Sequence, residues 1–258
     1  MTLPVSNWSV SVGRALYAAA TIFFGVQHFI YGAFVTRIMP AWPAWVPVHP
    51  IWPYAVGAML VVLGSGLFFE RTARMAALGL GWQTLLAAVL LALPPALTHE
   101  AWGGEWTNAG KAFALGGGAF VVAASLTGGA GNSVLAKLLP LGRVGLSGFM
   151  FLGGIQHYLW AQNVSRLVPT WIPGPIFWTY LAGTALMAGG IGMLLRPTAR
   201  LAAWLSARMI FTWIIVLHAP RVAANLHNAN EATAMFEALA FSGIALLVAG
   251  GPRQSRAD

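Results

Sequence analysis

Charged side chains are so sparse in this chain that apolar runs of about twenty residues follow one another nearly from end to end, roughly over 12–31, 51–69, 74–95, 108–127, 142–160, 176–195, 199–219 and 233–250. With 58% of its 258 residues hydrophobic and 8% charged, the chain carries more apolar surface than one soluble core can bury. The bilayer is the expected solvent. In lipid every backbone N–H and C=O must be satisfied internally, and runs of this length match helices rising about 1.5 Å per residue across a hydrocarbon core of about 30 Å. The sequence therefore predicts an all-α, polytopic integral membrane protein with eight transmembrane helices. The breaks between runs carry Pro, Gly, Asn or charge, as at Glu70-Arg71, Pro94-Pro95, Pro169 to Pro175 and Arg196-Pro197.

The polar and glycine positions recur. Gly13-Arg14, Gly25, Gln27-His28, Arg37, Pro40 and Trp42 return 129 positions later as Gly142-Arg143, Gly154, Gln156-His157, Arg166, Pro169 and Trp171. A three-residue contraction then changes the offset to 126, at which Trp52, Tyr54, Gly57, Gly64, Gly66, Arg74, Pro94, Glu105 and Thr107 match Trp178, Tyr180, Gly183, Gly190, Gly192, Arg200, Pro220, Glu231 and Thr233. Such a pattern indicates duplication, with four-helix repeats over 1–130 and 131–258. Four is even, so both repeats enter the membrane from the same side and are parallel. The recurrence also argues that the first run is a retained helix and not a cleaved signal. Glycines seven apart, Gly57 with Gly64 and Gly183 with Gly190, read as helix-packing positions.

Orientation follows from the cations. Arg14, Arg71, Arg74, Lys137, Arg143, Arg196, Arg200, Arg253 and Arg256 gather on one face, against Glu70 and Asp258. On the other, Arg37, Lys111, Arg166 and Arg221 are balanced by Glu100, Glu105, Glu231 and Glu237. The positive-inside rule makes the first face, with both termini, cytoplasmic. Topology thus accounts for the formal charge of +8 without nucleic acid as a partner. The absence of cysteine removes disulfides, thiol exchange and Cys-ligated iron–sulfur clusters, so a redox role requires a bound cofactor or a protein partner.

The six histidines all fall at or beyond outer helix ends: His28, His157 and His218 in last turns, His49, His99 and His227 in loops. His28 with Gln27, and His157 with Gln156, occupy equivalent repeat positions. They read either as ligands to a metal or haem, proton carriers or donors to a quinone carbonyl, or as partners of the returning Pro/Trp loop. No His-x-x-x-His pair is present, so spacing names no metal. His218-Ala219-Pro220-Arg221 has Ala92-Leu93-Pro94-Pro95 as its counterpart, an asymmetry that places a single site near His218 and Arg221, with Glu231 as counter-charge. The other reading is a helix end anchored at the headgroups. Arg208, deep in its helix, is expected to face the bundle interior or a wet cavity, because an Arg at a helix centre costs about 2.5–3.5 kcal/mol in lipid. The alternative is snorkelling toward the cytoplasm. Most of the twelve Trp cluster at outer ends, as an interfacial belt or as the walls of a pocket for a flat cofactor.

Gly-x-Gln-His-Phe at 25–29, Pro-x-Trp-x-Pro at 169–173, Phe-Trp-x-Tyr-x-x-Gly at 177–183, Ala-Arg-Leu-Ala-Ala at 199–203, His-x-Pro-Arg at 218–221 and Asn-Glu-x-Thr at 230–233 resemble the DoxX-like membrane proteins. The resemblance covers both halves, as though two such units were fused, where usual members are single four-helix units. It implies a bacterial inner-membrane protein associated with redox complexes, some relatives being subunits of quinone-linked oxidoreductases and others assisting enzyme maturation. The expected function is a quinone-linked subunit or accessory protein, with His218, Arg221 and Glu231 acting on the ligand and His28, Gln27, His157, Gln156 and Arg208 holding it. A quinone is the leading cofactor, ahead of haem or metal. A scaffold for a membrane or periplasmic enzyme, and a small-solute transporter, are the alternatives.

Overall fold

The computed structural model describes residues 5–35, 37, 47, 51–98, 103–126 and 139–251. Pro40, Trp42, Trp45, His49, His99, Glu100, Trp102, Lys137, Arg253, Arg256 and Asp258, and the repeat boundary at 130/131, lie outside the described residues.

The described residues are helical, without strands. In chain order the helices are α1 (Val5–Tyr31), α2 (Ile51–Gly66), α3 (Glu70–Ala87), α4 (Leu93–Thr98), α5 (Gly104–Ser125), α6 (Leu139–Leu159), α7 (Ala161–Ser165), α8 (Pro175–Leu194), α9 (Ala199–Trp213), α10 (Ala219–Ala224) and α11 (Ala229–Gly250). A π-helical turn, Ala88–Ala92, joins α3 to α4, and another, Ile214–His218, joins α9 to α10. Among the described residues, five segments are long and apolar enough to cross a membrane: Trp8–Tyr31, Glu70–Thr98, Pro175–Leu194, Ala199–Ala224 and Ala229–Gly250. Helix α2 is also apolar but has 16 residues.

Local chemistry explains the irregular points. A proline ring collides with the carbonyl four residues back and offers no N–H. For Pro94 and Pro220 that carbonyl belongs to Leu90 and Val216, inside the two π-turns, where the wider winding gives the ring room. Gly174 takes a left-handed φ of 68° to enter α8, with Pro175 in its first turn. Asn228 caps α11 by accepting from the backbone N–H groups of Asn230 and Glu231.

Helices α5 and α11 are buried on nearly all sides over Ala109–Ala124 and Thr233–Gly250, and they touch each other at the centre. Helix α1 packs on α11 and α2, while α6 packs on α5 and α8; α3 lies against α5 and α9 against α11. Glycines make these contacts close. A methyl on Gly13 would lie 2.6 Å from the Gly243 carbonyl oxygen, and one on Gly142 would collide with that of Gly117. Gly25 approaches Gly57, and Gly154 approaches Gly183, so that a methyl on either Gly25 or Gly154 would lie 2.7 Å from the facing carbonyl oxygen. Polar contacts recur at the sequence offsets noted above. Thr72 and Thr198 each donate to a glycine carbonyl, Gly66 and Gly192, at 2.8 Å.

Gly142→Val should therefore force α5 and α6 apart and cost about 1–3 kcal/mol of stability, in the range of overpacked cores. Gly148→Ala, with open space around it, should be nearly neutral. Unfolding of both variants in mixed detergent micelles tests this; equal stability of the two would contradict the packing described.

Candidate functional site

A cavity of about 990 Å³ lies among α5, α6, α8, α9 and α11. Its lining is mostly apolar, from Leu146 and Phe149 on α6 to Trp213 and Leu217 on the α9 side. One wall is polar, and it is built from distant parts of the chain.

The centre of that wall is Glu237, whose side chain is 5% exposed. Lys111 Nζ donates to its Oε1 at 3.0 Å, and Arg37 Nε donates to its Oε2 at 3.0 Å. Lys111 is equally enclosed, and Arg37 is partly open. Two cations thus share one carboxylate at the edge of an apolar space. Lysine carries three donors and arginine five, so both keep donors beyond the ones used here. By sequence Lys111 and Glu237 belong to the outer-face charges. In the structure they sit about 10 Å inside their helices, at 1.5 Å per residue, and face each other. They are separated by 126 residues, the offset at which the second half repeats the first.

Gln156 and His157 also line the cavity. Gln156 Nε2 donates to the Gly103 carbonyl at 3.2 Å, and its Oε1 accepts from Thr107 Oγ1 at 2.9 Å. A matching set forms elsewhere: Gln27 Nε2 donates to the Ala229 carbonyl at 3.3 Å, and its Oε1 accepts from Thr233 Oγ1 at 3.0 Å. His157 Nδ1 donates to the Gly153 carbonyl and His28 Nδ1 to that of Phe24, both at 2.7 Å. A carbonyl only accepts, so Nδ1 carries the proton in each ring and Nε2 is left as the second functional atom. Gln27 is fully buried where α1 meets α11 and His28 where α1 meets α2, and Nε2 of His28 has no partner among the described residues.

His218 ends the second π-turn and faces the cavity, its Nδ1 buried without a hydrogen-bond partner among the described residues. Arg221 Nη2 pairs with Glu231 Oε1 between α10 and α11, outside the cavity lining. His218, His157 and Gln156 are therefore brought together, whereas Arg221 and Glu231 form a separate partly buried pair and His28 with Gln27 a third position. Arg208 corrects the sequence expectation of an inward position: it is exposed on α9, in a stripe with Leu201, Leu205 and Ile215, and does not line the cavity. The cost of an arginine in lipid states that it needs a polar neighbour without saying on which side of the helix that neighbour lies.

Arg37, Lys111, Glu237 and Thr107 are the residues of this wall that sequence reasoning did not single out. The signal for one pair was present, since Lys111 and Glu237 are opposite charges at the 126-residue offset that relates the other matched positions. Among the described residues, no three His, Asp or Glu side chains group closely enough to hold a metal ion. Compared with models of protein families, with curated proteins and with solved structures, the chain matches none.

Removing Glu237 alone would leave Lys111 and Arg37 adjacent and uncompensated, which for a buried pair costs about 3–5 kcal/mol. Glu237→Gln should be strongly destabilised, and Lys111→Met/Glu237→Gln should recover a large part of the loss. Unfolding of the two single variants and the double variant measures the coupling; additive effects would show that the pair does not interact as described.

Proposed function

We propose that this chain is a bacterial inner-membrane DoxX-like protein that binds a lipophilic quinone in the cavity and serves as a redox-associated subunit or accessory protein. The carrying observation is a largely apolar cavity of about 990 Å³ whose polar lining includes Lys111, Glu237, Arg37 and His218. Its volume is at the upper end of the usual range for small-molecule sites, about 300–1,000 Å³. The residues present fit the group: Lys111, Arg37 and His218 offer donors to ring carbonyls, Trp178 and Trp213 offer flat faces, and the aliphatic lining suits a prenyl tail. A quinone, when bound, supplies two-electron, two-proton redox chemistry. The chain's own residues bind and orient it, keep bulk water from it and hold hydrogen bonds at its carbonyls. With no cysteine to ligate an iron–sulfur cluster, electron exchange is assigned to a protein partner.

The same reading holds that the chain crosses the membrane eight times as two like-oriented four-helix units, with both termini cytoplasmic. Reciprocal contacts support this. Gln27 meets Thr233 as Gln156 meets Thr107, and Gly13 meets Gly243 as Gly142 meets Gly117. Such exchange of equivalent contacts is what a two-fold assembly of one unit produces. Arg71, Arg74, Arg196 and Arg200 lie at the turns between α2 and α3 and between α8 and α9, and the polar wall lies toward the opposite helix ends, the periplasmic side in this reading.

Gentle extraction followed by mass spectrometry should find bound quinone, and His218→Leu should lower its affinity about tenfold, equivalent to about 1.4 kcal/mol. Failure of quinone-loaded nanodiscs to deliver any quinone to the wild-type protein would overturn the reading. A scaffold role is the second reading, favoured by Arg208: an arginine on the outward face of α9 suits an acidic group on a neighbouring membrane protein. In that case Arg208→Leu, and not His218→Leu, should abolish co-purification of the partner.

A further inference from the structure

Helices α8 and α9 are joined by a short turn and approach closely beside it. A methyl on Gly192 would lie 2.8 Å from Ala202 Cβ, and one on Gly189 would lie 2.6 Å from Ser206 Oγ. Farther from the turn, Ala182 and Ala185 on α8 and Ile210 and Trp213 on α9 all line the cavity. The two helices are therefore sealed near the turn by small residues and backed by the cavity farther from it. Leu181 and Thr212 settle where it opens. Each lies about 20 Å from the α8–α9 turn, at 1.5 Å per residue; each lines the cavity, and each is exposed at the protein surface. An opening at that level faces lipid and not water, because both helices are long and apolar enough to span the membrane.

We propose that the gap between α8 and α9 at Leu181 and Thr212 is a lateral portal, through which the prenyl or alkyl tail of a lipid-dissolved ligand passes while its head lies at the Lys111, Glu237 and His218 wall. This rests on the cavity being a site for a lipophilic ligand. It adds the route, and it fixes the ligand's class as one partitioned in the bilayer, in contrast to a solute arriving from the aqueous side. The surroundings match the two ends of such a molecule: Leu181 at the mouth is aliphatic, and the charged groups lie deeper, on α5 and α11.

The chain has no cysteine, so introduced thiols are unambiguous. Two measurements test the portal. In the first, Ala185→Cys carries a nitroxide in phospholipid vesicles, and its collisions with lipid-soluble oxygen are compared with those of a water-soluble nickel complex. Leu205→Cys, on the lipid-facing surface, and Ala203→Cys, in the core, give the limits. The label at 185 should approach the value at 205 for oxygen and stay low for nickel. Nickel access exceeding oxygen access would show that the cavity opens to water alone and would overturn the portal. In the second, Leu181→Cys/Thr212→Cys is bridged with a bifunctional thiol reagent cleavable by reductant, and exchange of long-tailed quinone with vesicles is followed. Bridging should slow exchange at least tenfold, with recovery on reduction, and unchanged exchange would overturn the proposal. Should no quinone bind, the quinone reading fails by itself and the collision measurement alone decides the portal.

Discussion

Hydrocarbon gives two apolar helices no reason to leave it for each other, so a bundle in lipid is held by how closely its backbones approach and by the few polar groups it joins. Here the approach is made by glycine against glycine: Gly13 on Gly243, Gly142 on Gly117, Gly25 on Gly57 and Gly154 on Gly183. Each contact removes a side chain's width from the distance between two helix axes. The glutamine-to-threonine bonds of Gln27 with Thr233 and Gln156 with Thr107 are within reach because those axes are close. The polar wall joins the two central helices, α5 and α11, through Lys111 and Glu237, and there Gly118 lies against Ile244.

Positions related by the sequence offsets are filled differently at the two junctions between the halves. Phe23 and Phe236 stack with ring centroids 3.6 Å apart. Their counterparts at the repeat offsets are Leu152 and Gly110, and Leu152 sits 3.3 Å from where a methyl on Gly110 would be. Two rings at one junction between the halves correspond to an aliphatic chain and a hydrogen at the other. Lys111 and Glu237 diverge in charge in the same way. A single unit pairing with its own copy would bring identical side chains to equivalent places, two lysines or two glutamates, whereas this chain joins one of each.

Helical architecture was legible because runs of about twenty apolar residues allow little else in lipid, and the close-packed glycines were legible because they recur. His218, His157 and Gln156 stood out as polar residues near helix ends, and they line one cavity. Lys111 and Glu237 did not stand out: each is a single charge near the end of an apolar run, and nothing within seven residues of either marks it as buried. Their meaning lies in a partner 126 residues away. Arg208 was misread because desolvation fixes a cost and not a direction. Arg221 with Glu231 was readable as a pair from charge and proximity, but its separation from the cavity depends on the winding of the helix between them and His218.

That winding is the π-turn at Ile214–His218, which holds one residue more than an α-helix would use over the same rise. Each residue of an α-helix advances the azimuth by about 100°. A chain shortened by one residue in this turn would carry everything beyond it, Arg221 included, through that angle, and His218 would leave the cavity wall for the lipid or for a neighbouring helix. The azimuth of the last two turns before α11 is thus set by a local insertion, so that the aim of these groups and the length of the membrane crossing can change independently of one another.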